Sequence, residues 1–121
     1  MIGYVTIGVH DLERSTAFYD AILVPLGGKR SFSGQRMQGY AAARGGTLIV
    51  TKPYDGEPAS VGNGAMVALS APSPEVIAEV YALAMANGAA DDGPPGQRSE
   101  TFHGAYFRDP DGNKICVYKG Y

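Results

Sequence analysis

The chain has 121 residues, enough to bury one hydrophobic core but too few for two independent domains. Apolar residues make up 45% of the chain and charged residues 18%, a balance typical of globular proteins rather than disordered or fibrous ones. The formal net charge of -2 gives no excess of Lys and Arg for contacting phosphates. We therefore predict a single globular domain, residues 1–121, that does not bind nucleic acid.

No targeting or membrane segment is predicted. The opening residues MIGYVTIGVHDLERS lack a basic stretch followed by an apolar run, so they do not resemble a signal peptide. The longest stretch nearly free of charge, residues 61–74, contains several Gly and Pro residues and is too short to cross a bilayer. The single cysteine, Cys116, cannot form an internal disulfide. A cytoplasmic location without a membrane partner is expected.

The first half of the chain predicts a strand, a helix and a hairpin. Residues 4–9 alternate apolar and small or polar side chains, the pattern of a half-buried strand. Asp11 is placed to cap a helix that runs over residues 12–23. Residues 37–43 and 47–52 flank a Gly-Gly pair, which predicts two strands joined by a two-residue turn.

The same order of elements recurs in the second half. Residues 54–63 are rich in turn residues and are predicted to be a linker. Residues 66–70 then predict a strand, Ser73 begins a helix that runs to about Asn87, and residues 104–119 predict a hairpin. A shift of 62 residues superimposes the first strands of the two halves, which supports a duplication.

The repeat predicts an α+β fold of two fused βαβββ modules, residues 1–53 and 64–121. One module of this size cannot bury its sheet alone, so the two are expected to share a core while their sheets curve around a central cleft. The strand residues expected to face the helices are Val5, Ile7, Val9, Leu48, Val50, Val67, Leu69, Ile115 and Val117.

Two segments carry a family resemblance. The opening YVTIGVHDLERSTAFYD leads a strand into an Asp-Leu-x-x-Ser helix, and AYFRDPDGNKICVY forms a closing hairpin about a hundred residues later. Both resemble the vicinal oxygen chelate superfamily, which includes glyoxalases, bleomycin-resistance proteins and extradiol dioxygenases. The linker resembles that of a glyoxalase-like bacterial subgroup. The resemblance covers essentially the whole chain and implies the duplicated fold.

The resemblance also implies where a metal would be bound. Metal-binding members hold a divalent ion with four side chains, usually His and Glu, from the first and last strands of each module. The corresponding positions here are Tyr4, Ile49, Met66 and Cys116. None is His, Glu or Asp, the residues that a catalytic divalent ion requires. We therefore predict that the usual metal is absent, and no other cofactor is expected.

The sheet face that carries Tyr4 and Cys116 is the predicted ligand-binding surface. Strand alternation and hairpin pairing extend this face, with Tyr106 opposite Cys116 and Tyr40 opposite Thr51. Aromatic rings, hydroxyls and a thioether suit a flat apolar or aromatic small molecule. The predicted lining is Tyr4, Thr6, Tyr40, Ala42, Ile49, Thr51, Met66, Ala68, Ser70, Tyr106, Cys116 and Tyr118.

Few other side chains are candidates for chemistry. His103 is a weak catalytic candidate, because it precedes the last hairpin near Arg98 and Glu100, on a loop expected at the cleft mouth. His10 is interpreted as an exposed loop residue, and a metal site formed by the two histidines lacks a motif. Cys116 is expected to be an inert buried side chain. No glycine-rich segment has the spacing of a dinucleotide or phosphate loop.

Three interpretations remain open. The chain is a metal-independent protein that binds a small molecule, in a sequestering role like that of the bleomycin-resistance proteins it resembles. Alternatively, it is a lyase or isomerase resembling lactoylglutathione lyase or a dioxygenase, with an atypical metal site or acid-base chemistry at tyrosine and His103. In the third, Tyr4, Met66 and Cys116 fill a closed core and bind nothing. The resemblance also implies a homodimer, since superfamily members commonly pair.

Overall fold

The computed structural model describes residues 1–120, which form two α-helices, a short 3₁₀ turn at Val24–Leu26 and nine strands. The helices are α1 (Leu12–Ile22) and α2 (Pro74–Ala86). The strands are β1 (Tyr4–Gly8), β2 (Lys29–Ser33), β3 (Met37–Ala41), β4 (Thr47–Thr51), β5 (Val67–Ser70), β6 (Ala90–Asp91), β7 (Gly96–Ser99), β8 (Phe102–Arg108) and β9 (Lys114–Gly120). Neither helix within residues 1–120 has the length and apolar character needed to cross a membrane.

The strands form two sheets, one in each half of the chain. The first sheet has the order β1-β4-β3-β2, and β1 runs parallel to β4. The second sheet has the order β5-β9-β8-β6, with β7 also paired to β8, and β5 runs parallel to β9. Each half therefore places its first strand beside its last one, which agrees with the predicted pair of βαβββ units.

Both helices begin at the residues that the sequence predicts. The side chain of Asp11 accepts a hydrogen bond from the backbone N–H of Arg14 at 3.1 Å. The side-chain hydroxyl of Ser73 accepts one from the backbone N–H of Val76 at 3.2 Å. Each cap satisfies an N–H group that has no acceptor within its own helix, so the local sequence determines where the helices start.

One core is shared by both halves. All the strand residues predicted to face the helices are buried in it or pack against it. The ring of Phe18 in α1 packs edge to face against Tyr19 at 5.0 Å and against Phe107 of β8 at 6.3 Å. Because Phe18 joins the first helix to the second sheet, neither half has a separate core.

The prediction of a two-residue turn between β3 and β4 is wrong. Residues 42–46 connect the two strands, and Tyr40 pairs with Leu48 instead of Thr51. Of the two glycines, Gly45 has a positive φ of 92° and Gly46 does not, so the pair does not form a two-residue turn. The longer connection shifts the register by an odd number of residues, which moves Tyr40 to the opposite face of the sheet.

The last hairpin has the predicted pairing. Tyr106 pairs with Cys116, and Arg108 pairs with Lys114. The sequence pattern did not locate strands β2, β6 and β7, although a βαβββ module requires a third strand after its helix. Strand β2 has the sequence KRSFS and is exposed along its length, so it lacks the alternation that marks a half-buried strand.

Candidate functional site

The predicted lining residues lie on two different sheets. Tyr4, Thr6, Ile49 and Thr51 lie on the face of the first sheet that points away from the helices. The predicted residues of the second half lie on the other sheet or beside it: Met66, Ala68, Ser70, Tyr106, Cys116 and Tyr118. The structure brings the first group together in one cavity, and it places Tyr40, Ala42, Ala68 and Ser70 in a second, smaller one.

That cavity, called here the first-sheet cavity, has a volume of about 820 Å³. All of its described lining comes from the first half of the chain: Gly3, Tyr4, Thr6, Gly8, Phe32, Arg36, Met37, Thr47, Ile49, Thr51, Pro53 and Tyr54. The floor is formed by strand residues such as Ile49, which is 6% exposed. Tyr4 and Tyr54 are largely exposed, and Phe32 is 44% exposed. The cavity therefore combines an apolar floor with aromatic rings that are open to solvent.

Phe32 is positioned by a glycine in the neighbouring strand. A Cβ atom built on Gly39 would lie 2.4 Å from the Phe32 ring, closer than real Cβ contacts allow. The ring therefore lies directly over Gly39, and the absence of a side chain leaves the room for it. Gly39 pairs with Ile49 in β4, so Phe32 covers part of the cavity floor.

Arg36 is the one charged residue among the described lining of this cavity. Its Nη1 donates hydrogen bonds to Oγ1 of Thr51 at 3.0 Å and to the carbonyl oxygen of Lys52 at 3.2 Å. Its guanidinium carbon lies 5.2 Å from the centre of the Tyr54 ring, within the range of a cation–π contact. These contacts hold the guanidinium against the cavity wall.

The second sheet has a different polar cluster. Cys116 is fully buried, and its thiol is in contact with Tyr106. The centre of the Tyr106 ring lies 5.5 Å from the guanidinium carbon of Arg98 and 5.4 Å from the ammonium nitrogen of Lys114. Burial raises the pKa of the Cys116 thiol, while Tyr106 and the two cations oppose this rise less strongly. At neutral pH the thiol is therefore protonated and a poor nucleophile.

The other predicted lining residues of the second half do not all line the same cavity. Met66 is 46% exposed, whereas Tyr118 stacks on Phe102 with ring centres 5.3 Å apart. Ala68 and Ser70 line a smaller cavity of about 390 Å³ at the junction between the halves. That smaller cavity is lined by both halves, whereas the described lining of the first-sheet cavity comes from the first half alone, so the predicted lining residues are not gathered in one cleft.

Tyr40 does not belong to the first-sheet cavity, contrary to the prediction. The phenol is 2% exposed and lies on the helix-facing side of its sheet. Its hydroxyl is 2.9 Å from Oδ1 of Asp20 and 3.1 Å from the carbonyl oxygen of Thr16. Burial and the neighbouring Asp20 carboxylate raise the pKa of Tyr40 well above its usual value. Part of the ring contributes to the smaller junction cavity, together with the predicted Ala42.

The four positions of the family metal site do not provide a donor set. Tyr4 is 66% exposed on the first sheet, while Cys116 is buried on the second. Ile49 has no donor atom, and Met66 offers only a thioether. Within residues 1–120, no group of three or more His, Cys, Asp or Glu residues is arranged to hold a metal ion. These residues do not fit a catalytic divalent ion of the usual kind.

Neither histidine faces the first-sheet cavity. His103 lies within β8 rather than on a loop, and its Nδ1 is 3.2 Å from Oε1 of Gln97. Strand alternation places His103 on the face opposite to that of Tyr106. His10 is exposed, and its backbone N–H donates to Oδ1 of Asp111 at 2.8 Å. The structure therefore places His103 outside the lining of the first-sheet cavity and on the opposite face of β8 from Tyr106.

Four large side chains of the first-sheet cavity, among other lining residues, are absent from the predicted lining. Phe32 lies on the polar strand β2, and Arg36 follows it in the connection to β3. Tyr54 lies in the predicted linker, and Met37 depends on the β3–β4 register that was predicted wrongly. No local pattern marks these positions, although a lone aromatic residue in a polar strand such as KRSFS is a usable signal.

Comparison with known proteins gives one clear family match. The model of the Glyoxalase/Bleomycin resistance protein/Dioxygenase superfamily matches residues 1–117. A glyoxalase/bleomycin resistance protein from Albidiferax ferrireducens T118 has 40% sequence identity and a TM-score of 0.93. The alignment covers 100% of this chain and 99% of that one. Among curated proteins, no sequence matches the chain.

More distant solved structures share the fold. A lactoylglutathione lyase from Agrobacterium tumefaciens has 18% identity and a TM-score of 0.73, covering 99% of this chain and 93% of that one. A glyoxalase/bleomycin resistance protein/dioxygenase family enzyme from Burkholderia phytofirmans PsJN has 16% identity and a TM-score of 0.78, covering 98% of both chains. At these identities the similarity supports the architecture and does not carry an activity to this chain.

Proposed function

Because this chain belongs to the Glyoxalase/Bleomycin resistance protein/Dioxygenase superfamily, we propose that it binds a small apolar or aromatic molecule without the usual catalytic metal. The first-sheet cavity is the proposed binding site. In this interpretation the scaffold of the family is retained, while the chemistry of its four metal positions is lost. The alternative, a glyoxalase-like lyase or isomerase, requires an atypical metal site.

The observation that carries this proposal is the composition of the first-sheet cavity. Its volume of about 820 Å³ is in the range of sites for small organic molecules. Three aromatic side chains, Tyr4, Phe32 and Tyr54, surround a floor that includes Ile49. Flat aromatic molecules stack on such rings and lose apolar surface to the floor, and the hydroxyls of the lining threonines provide a few oriented hydrogen bonds.

Binding is tested with 2-naphthamide, a neutral aromatic probe, by saturation-transfer NMR and isothermal calorimetry. We expect saturable binding that weakens by at least about fivefold when both exposed rings are removed in Tyr4→Ala, Tyr54→Ala. Val24→Ala is the control, because it also truncates an exposed apolar side chain but lies outside the cavity. Equal weakening by the control indicates nonspecific adsorption and contradicts the proposal.

Metal independence is tested on protein purified without an affinity tag or chelator. Elemental analysis is expected to give far less than one tightly bound divalent ion per chain. Adding Zn²⁺, Ni²⁺ or Mn²⁺ is expected to leave the unfolding temperature unchanged, because metals bound by the folded state raise it. About one retained ion per chain would exclude this interpretation and favour the lyase or isomerase alternative.

We also propose that the chain forms a homodimer. Tyr4 and Met66, which occupy equivalent positions in the two halves, are 66% and 46% exposed. Both are apolar side chains beside strand faces that point away from the helices, and apolar surface of this kind commonly marks an interface. A second copy that covers these faces would bring the second sheet of one chain towards the first-sheet cavity of the other.

The dimer is tested by sedimentation equilibrium at micromolar concentrations. We expect the wild type to sediment as a dimer and Tyr4→Glu, Met66→Glu to shift towards the monomer, because the charges are not tolerated in an apolar interface. Val24→Glu is the control, because it introduces a negative charge at an exposed apolar residue elsewhere on the surface. A wild type that is monomeric throughout the concentration range contradicts the proposal.

The cytoplasmic location stays a prediction.

A further inference from the structure

We propose that the molecule bound in the first-sheet cavity carries a carboxylate, and that Arg36 is the residue that binds it. This inference rests on the proposed binding function and specifies the class of ligand. It predicts an aromatic or apolar monocarboxylic acid instead of a neutral hydrocarbon or an amine.

The described lining of the first-sheet cavity has an unbalanced positive charge. Among its described lining, Arg36 is the only charged side chain, and every other lining residue is neutral. No Asp or Glu within residues 1–120 forms an ion pair with Arg36. A partly buried cation beside an apolar floor, without a protein counter-charge, provides a favourable position for an anionic group of the ligand.

The guanidinium group of Arg36 has N–H donors that its hydrogen bonds within the described residues do not use. Both hydrogen bonds that the Arg36 side chain makes within the described residues run through Nη1, to Thr51 and to the carbonyl oxygen of Lys52. Nε and Nη2 therefore have no protein acceptor in this part of the chain. These two nitrogens present the parallel N–H groups that bind a carboxylate in a bidentate manner.

Contacts with the protein restrict the orientation of the Arg36 guanidinium. Two hydrogen bonds from Nη1 restrain the Arg36 guanidinium, and its central carbon lies 5.2 Å from the centre of the Tyr54 ring. A guanidinium that is already held loses less side-chain entropy when it binds an anion than a freely rotating one. A carboxylate on Arg36 would leave the attached aromatic body over the floor formed by Ile49 and its neighbours. One cation balances one negative charge, which favours a monocarboxylate over a dianion.

The experiment compares two probes of nearly the same shape, one of which carries a negative charge. Binding of 2-naphthoate and 2-naphthamide is measured by calorimetry on the full-length wild type. We expect the wild type to bind 2-naphthoate at least about tenfold more tightly, as a charge-assisted bidentate contact predicts. Increasing NaCl from 50 to 500 mM is expected to weaken binding of the naphthoate and to leave binding of the naphthamide unchanged.

Two variants separate the role of Arg36 from net charge. Arg36→Gln is expected to abolish the preference for 2-naphthoate while it retains 2-naphthamide binding. Arg44→Gln removes the same charge from the exposed β3–β4 connection, outside this cavity, and is expected to keep the preference. Circular dichroism and thermal unfolding verify that both variants are folded.

The outcomes distinguish this inference from the proposed function. If 2-naphthamide binds and 2-naphthoate binds no more tightly, the carboxylate assignment fails while the binding function stands. A preference that persists in Arg36→Gln overturns the role of Arg36. If neither probe binds the wild type, the proposed function fails, and the carboxylate assignment fails with it.

Discussion

The hydroxyl of Tyr19 donates a 2.7 Å hydrogen bond to Oδ2 of Asp109, and both side chains are buried. Tyr19 belongs to α1 in the first half, whereas Asp109 begins the turn of the last hairpin. Oδ1 of Asp109 accepts hydrogen bonds from the backbone N–H groups of Asp111 and Asn113, both at 2.9 Å. The side-chain amide of Asn113 also donates to the carbonyl oxygen of Gly8 at 2.9 Å. The Asp-Pro-Asp-Gly-Asn turn therefore joins the second half to the first.

The first prediction concerns this hydrogen bond. Tyr19→Phe is expected to reduce the free energy of unfolding by about 1–3 kcal/mol, because it removes a donor from a buried carboxylate. Urea unfolding followed by circular dichroism measures the change. Tyr81→Phe is the matched control: its hydroxyl donates to Asp91 at 2.8 Å on the exposed surface, so a much smaller effect is expected. Equal effects of the two variants would show that burial does not determine the strength of the Tyr19 contact.

The second prediction concerns alkaline pH. Burial, followed by the Asp109 charge, raises the pKa of Tyr19 well above 10.0 in the folded state. The folded protein therefore keeps this proton where the unfolded chain loses it, so the stabilisation is complete below pH 10 and decreases above it. Each such tyrosine contributes a slope of up to about 1.4 kcal/mol per pH unit. The pKa of Tyr40 is raised too, and its contribution has the same sign.

Urea midpoints measured at pH 8, 9, 10 and 11 test this linkage. The stability of the wild type is expected to fall more steeply above pH 10 than that of Tyr19→Phe. The difference between the two proteins isolates this group from the lysines, which titrate in the same range. Parallel curves for wild type and variant would contradict the prediction.

The third prediction concerns the thiol of Cys116. Because the side chain is fully buried and burial raises its pKa, the native protein is expected to react slowly with Ellman's reagent at pH 8. The control is a Ser60→Cys, Cys116→Ala double variant, which moves the thiol to an exposed position in the connection between the halves. We expect wild type to react at least about tenfold more slowly than this control. Similar rates would show that solvent reaches Cys116 in the native state.

The fourth prediction concerns the contact between Phe32 and Gly39. Gly39→Ala is expected to displace the Phe32 ring, since the new Cβ would lie 2.4 Å from it. The affinity for 2-naphthamide should fall several-fold, and stability should fall by about 1 kcal/mol, the lower end of overpacking costs, because the ring is partly exposed. Gly3→Ala is the control: it lines the same cavity, but its Cβ would meet nothing within 4 Å. Unchanged probe binding in Gly39→Ala would contradict the placement of Phe32 over the cavity floor.

Local features of the structure were predictable from the sequence. The helix starts at Asp11 and Ser73 depend on a side chain and an N–H group three residues away, so short-range patterns are enough to predict them. The pairing of Tyr106 with Cys116 follows from the turn residues between them, and it was predicted correctly. The register of β3 and β4 was predicted wrongly, because a pair of glycines is compatible with several turn lengths.

The sequence alone determined the duplicated fold, the strand residues that face the helices, and the absence of His, Asp and Glu from the four family metal positions. These properties depend on residue type, order and periodicity, which can be read along the chain. The tertiary structure decided which residues line the cavity, because Phe32, Arg36 and Tyr54 reach it through strand pairing and loop packing. It also placed the two groups of predicted lining residues on separate sheets. Helices and sheets from both halves pack into one core, and the open sheet faces point away from it, a consequence of packing that no local pattern encodes.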